Sequence, residues 1–100
     1  MKVVTVVPKS LAKPTLGTLL EQTERRLRGT STTFLRRRSR RWTHVKYPGW
    51  ITWDVSRSGV LSVQVQSKKL EEEWKLLQAF VGYLDRHLGA EIDSISILYF

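Results

Sequence analysis

Hydrophobic and polar positions alternate most cleanly between residues 51 and 66. Ile51, Trp53 and Val55 alternate with Thr52 and Asp54, and Leu61, Val63 and Val65 alternate with Ser62, Gln64 and Gln66. A period of two sends successive side chains to opposite faces, so each segment predicts a strand with one face to a core and one to water. Ser56-Arg57-Ser58-Gly59 joins them as a hairpin loop with glycine near its end. Residues 2–7 (Lys-Val-Val-Thr-Val-Val) are mostly β-branched and end at Pro8, which predicts a buried strand. A last strand over 92–99 places Ile95, Ile97 and Tyr99 on one face. Its apolar end, Leu98-Tyr99-Phe100, is expected to pack and not to trail into solvent.

Two helices follow from a different spacing. Leu70, Trp74, Leu77, Val81, Leu84 and Leu88 recur every three or four residues, a continuous apolar stripe widened by Leu76, Phe80 and Tyr83. This stripe predicts a long helix with Trp74 in the core, Ser67 as its cap and Gly89 as its stop. Glu71, Glu72 and Glu73 suit its positive end, and Arg86 and His87 its negative end. A shorter helix is predicted over 18–28. There Thr18 and Glu21 have the capping-box spacing, Leu16, Leu19, Leu20 and Leu27 gather on one side, and Gly29 ends the run.

The stretch 30–41 has no helical apolar face and only weak alternation, so it is expected to be a basic loop or a poorly specified strand. Residues 42–47 alternate better and can form an extra short strand, and Pro48-Gly49 suits a turn. Without that extra strand the order is βαββαβ. This predicts one α+β domain over residues 1–100 with a ferredoxin-like arrangement, an antiparallel sheet carrying two helices on one face.

Charge changes the picture more than composition does. The chain has 17 Lys and Arg against 9 Asp and Glu, a net charge of +8. The excess is local, because residues 25–46 hold Arg25, Arg26, Arg28, Arg36, Arg37, Arg38, Arg40, Arg41 and Lys46 without an acid among them. Arginine presents a planar donor fork that grips phosphate or carboxylate by two parallel bonds, whereas lysine is a point charge. Such a run beside aromatics has the parts for phosphate neutralisation and base stacking. The expected binding set is therefore Arg25, Arg28, Arg36, Arg37, Arg38, Arg40, Arg41, Trp42, Lys46 and Trp50, with nucleic acid as partner. Trp53, on the face of Ile51 and Val55, is expected in the core, and Trp50 on the opposite face. An acidic protein surface is the competing partner, and a homodimer through the sheet or the C-terminal strand is a further expectation.

Several chemistries lack their residues. There is no cysteine, which removes disulfides, thiolate metal sites and cysteine nucleophiles. The carboxylates Asp54, Asp85 and Asp93 have no metal-ligand spacing, and no phosphate-binding loop or hydrolase motif is present, so neither metal nor cofactor is expected. The element order is shared with the RNA recognition motif, but strands 2–7 and 60–66 lack the aromatics that motif stacks bases on. A small metal-independent endoribonuclease using His44, Tyr47 and Arg41 is the enzymatic alternative to a non-enzymatic binding protein. With no secretory leader and no apolar run near the roughly 18 residues of a membrane span, the expected setting is cytoplasmic.

Overall fold

The computed structural model describes residues 1–11, 14–29, 33–37 and 41–100. Its elements in chain order are strand β1 (Lys2–Pro8), helix α1 (Leu16–Leu27), and strands β2 (Phe34–Arg36), β3 (Trp42–His44), β4 (Trp50–Val55) and β5 (Leu61–Gln66). Helix α2 (Leu70–Leu88), a single 3₁₀ turn (Gly89–Glu91) and strand β6 (Ile92–Tyr99) follow. All neighbouring strands are antiparallel, in the order β2-β3-β4-β5-β1-β6.

The α+β class holds, but the ferredoxin-like βαββαβ arrangement does not. The sheet has six strands in the order just given, because part of the arginine-rich stretch expected as a basic loop or a poorly specified strand enters it as β2 and pairs with β3. The physical reason is two aromatic side chains hidden among the arginines. Phe34 and Trp42 are both buried, and hiding such surface is worth more than leaving the short segment in water.

The register sorts the sheet into two faces. On one, Ile51, Val65 and Lys2 align across β4, β5 and β1, as do Trp53, Val63 and Val4, and then Val55, Leu61 and Val6. Ile97 and Ile95 continue the last two rows on β6. This face packs against Leu16 and Leu20 of α1 and Leu76, Leu77, Phe80 and Leu84 of α2 to make the core. The other face carries Trp50, Thr52, Asp54, Ser62, Gln64 and Gln66, continued by Val3 and Thr5 and then by Ser96 and Leu98.

Lys2 is the polar exception in the covered face. Its ammonium lies 2.8 Å from Glu73 Oε1, with the amino group of Met1 3.2 Å from the same oxygen, and the Ser67 backbone N–H donates to Oε2. Burial alone would raise the Glu73 pKa, but these donors and their charges outweigh it and hold the carboxyl below its ordinary value. Glu73 thus occupies a core position of α2 and turns the helix from its expected orientation. Glu73, Leu76, Leu77, Phe80, Tyr83, Leu84 and Leu88 face inward. Leu70 is exposed, and Trp74, expected in the core, is 41% exposed and stacks on Tyr99. Leu98, Tyr99 and Phe100 are likewise exposed and do not pack into the core of their own chain.

Smaller corrections concern caps. Helix α1 starts two residues before the predicted point, with Thr15 as cap accepting from the Thr18 backbone N–H. Lys69, and not Ser67, occupies the cap position of α2, with no side-chain cap bond. Gly29 has the positive φ (83°) expected after a helix.

Gly17 sets how closely α1 approaches the sheet. A Cβ there would fall 2.4 Å from Val55 Cγ2 and 3.0 Å from Trp53 Cζ3. Overpacking by Gly17→Ala costs about 1–3 kcal/mol against the roughly 1 kcal/mol that alanine gains in a helix, so a net loss of stability of up to about 2 kcal/mol is expected. Urea unfolding followed by circular dichroism measures it, and a midpoint at or above that of the parent contradicts the close approach.

Candidate nucleic-acid interface

The expected arginines are separated by the fold into two groups. Arg25 lies on α1 and Arg28 caps its C-terminal end, both in the helix layer, and each meets an acid of α1. Arg25 stands 3.7 Å from Glu21. Arg28 grips Glu24 with both Nε (3.0 Å) and a terminal nitrogen. The hydrogen bond and charge of the buried Glu24 carboxylate raise the Arg28 pKa further. These two belong to the helix and do not contribute to a sheet-side surface.

Arg36, Arg37 and Arg41 sit on or beside the β2–β3 hairpin. All are exposed, and none of them forms a salt bridge with a carboxylate among the described residues. Arg37 donates through Nε to Thr43 Oγ1 at 3.0 Å, and the Arg41 guanidinium lies over the Trp50 ring, 4.8 Å from its centroid. Thr43, Trp50 and Thr52 are on the uncovered face, so Arg37 and Arg41 are drawn to that side. Arg36 pairs with Trp42 across the hairpin and therefore projects at the edge of the helix-covered side. Arg38 and Arg40 lie outside the described residues.

Trp42 does not join this surface. At 1% exposure its ring packs against Phe34, Trp53 and Tyr83 and is unavailable to a ligand. Trp50 and Trp53 fall where their alternation placed them, Trp50 half-buried on the uncovered face and Trp53 packed on the core. The Trp53 indole N–H is buried without a hydrogen-bond partner.

Two functional candidates escaped the sequence analysis. Lys68 and Lys69 lie in a half of the chain that is acidic on balance, but the fold sets them beside Lys46 and Trp50. Together with Pro48, Gly49 and Glu72 they line an open concavity of about 570 Å³. The signal that locates them is the pairing of Trp50 with Gln66, which places the end of β5 against the start of β4.

His44 faces the covered side of the hairpin. Its Nδ1 accepts from the backbone N–H groups of Lys46 (2.9 Å) and Tyr47 (3.2 Å), while its ring stacks on Tyr47 and meets Phe34 edge-on. Burial, helped by the charge of Lys46, holds its pKa below the ordinary histidine value. His87 is likewise lowered by burial and by Arg86 and Arg26. Among the described residues no group of three His, Cys, Asp or Glu side chains could hold a metal ion. None of the described helices is long and apolar enough to cross a membrane. Comparison with protein-family models, with curated proteins and with solved structures finds no match.

Both lowered imidazoles make the folded chain prefer neutral histidine. Their contribution to stability is complete above the unfolded value of about 6.5 and is lost as pH falls below it. Unfolding free energy is therefore expected to drop between pH 7.5 and 5.5. Denaturation series at several pH values should show a shallower drop in His44→Gln and a nearly flat profile in His44→Gln/His87→Gln.

Proposed function

We propose that the protein is a non-enzymatic binding protein that holds nucleic acid on the uncovered face of its sheet, within the cytoplasm. Arg37 and Arg41 bind phosphates, Lys46 adds charge at the margin, and Trp50 offers a ring for stacking. The observation that carries this reading is the Arg41–Trp50 pair on a helix-free face, with the neighbouring guanidiniums unmatched by described carboxylates. Cations left without internal partners raise the local potential and favour a polyanion from outside. His44 accepts two backbone N–H groups through Nδ1, an anchoring role that speaks against the endoribonuclease alternative.

Arg37→Ala/Arg41→Ala should weaken binding to all sequences alike. It should also make the slope of log K against log salt shallower by about 1.5, the equivalent of two lost phosphate contacts. Fluorescence anisotropy over a salt series reads this directly, and an unchanged slope rules the assignment out.

A second reading concerns the opposite edge of the sheet. Strand β6 has Asp93 as its one charged residue, and Leu98, Tyr99 and Phe100 are 54%, 64% and 75% exposed beside Trp74. An unprotected edge with apolar ends favours pairing with another strand. Two copies joined β6 to β6 would leave their arginine-rich edges at the far ends of a doubled sheet, where repulsion is least. Sedimentation velocity should then show a concentration-dependent dimer that Leu98→Lys abolishes, and a monomer at every concentration excludes it.

A further inference from the structure

We propose that the concavity beside Trp50 is a subsite for one unstacked nucleotide, so that the protein selects single-stranded over double-stranded nucleic acid. This inference rests on the nucleic-acid reading above and deepens it.

Three features make the concavity suited to a nucleotide. First, its charge is available. Lys46, Lys68 and Lys69 form no salt bridge with a described carboxylate, and Glu72, on the same wall, is 3.6 Å from Lys75. Phosphate oxygens therefore meet ammonium groups that are not already matched.

Second, the Trp50 indole both carries the Arg41 guanidinium and borders the concavity. A ring and a guanidinium plane in contact are the surfaces on which unpaired bases stack. In a duplex the base faces are covered by their neighbours, so this platform has nothing to receive from an intact double helix beyond its phosphates.

Third, the walls are held together before any ligand arrives. Gly49 has φ of 124°, and a Cβ there would fall 2.4 Å from the Gln66 carbonyl oxygen and 2.9 Å from Leu76 Cδ2. The loop carrying Lys46 and Trp50 is thus seated directly on the segment carrying Lys68 and Lys69. A preformed recess loses less entropy on binding than one assembled by the ligand.

The test compares labelled oligothymidine and oligouridine of about 12 nucleotides, within the range of single-strand site sizes, with a duplex of equal length at one salt concentration. The parent protein should bind the single strands more tightly. Trp50→Leu should lower single-strand affinity by roughly tenfold or more, as expected for one lost base stack. Lys68→Ala/Lys69→Ala, at the surface and away from the core, should reduce the ratio of single-strand to duplex affinity several-fold. Equal losses for both forms, duplex binding as tight as single-strand binding, or displacement by polyglutamate as effective as by oligonucleotide would each overturn the subsite. Binding to neither form by the parent protein would overturn the underlying reading as well. Failure of the subsite alone leaves both forms bound with Arg37→Ala/Arg41→Ala still weakening each.

Discussion

The burial of two aromatic rings holds the arginine-rich hairpin on the body of the protein. Phe34 meets Phe80 and Tyr83 edge-on at 5.6 and 5.2 Å, and Trp42 meets Tyr83 and Trp53 at 6.1 and 6.3 Å. The backbone contributes little by comparison, since β2 and β3 are three residues each and β3 is registered with β4 only at Trp42 and Ile51. Deleting a buried Phe or Trp side chain costs about 3–5 kcal/mol, far more than a ladder this short can supply. The positions of Arg36, Arg37 and Arg41 follow from those of the rings that flank them.

Charge is then divided by the fold. Acids are placed where a cation must be buried or kept on a helix: Glu73 at Lys2, Glu24 at Arg28, Glu21 at Arg25. Cations near the hairpin and the concavity have no such partners among the described residues. The net charge of +8 is thus less informative than its layout.

Much of the scaffold is legible in the sequence wherever one periodicity dominates. The β4–β5 pair, β1, β6 and the extent of α2 follow from strict alternation or from a long apolar stripe. Strand β2 is hidden because arginine after arginine masks the single buried Phe34. The orientation of α2 misleads because Glu73, a charged residue, takes a core position that only Lys2, distant in sequence, can justify. Trp50 is legible from its face of the strand, whereas Trp42 is not, since an aromatic flanking arginines looks the same whether it faces in or out. Lys68 and Lys69 belong to the site only through strand pairing, a relation that linear charge counts do not contain.

The two amide bonds received by His44 fix more than a turn. With Nδ1 occupied as acceptor, the imidazole proton resides on Nε2, and the ring is clasped between Tyr47 and Phe34. Such a ring keeps one tautomer and experiences strong shielding from its aromatic neighbours only while the hairpin and the turn after it are formed. The histidine nitrogens therefore act as a built-in gauge, visible by nuclear magnetic resonance, of whether β2 and β3 remain paired and the turn after them stays closed.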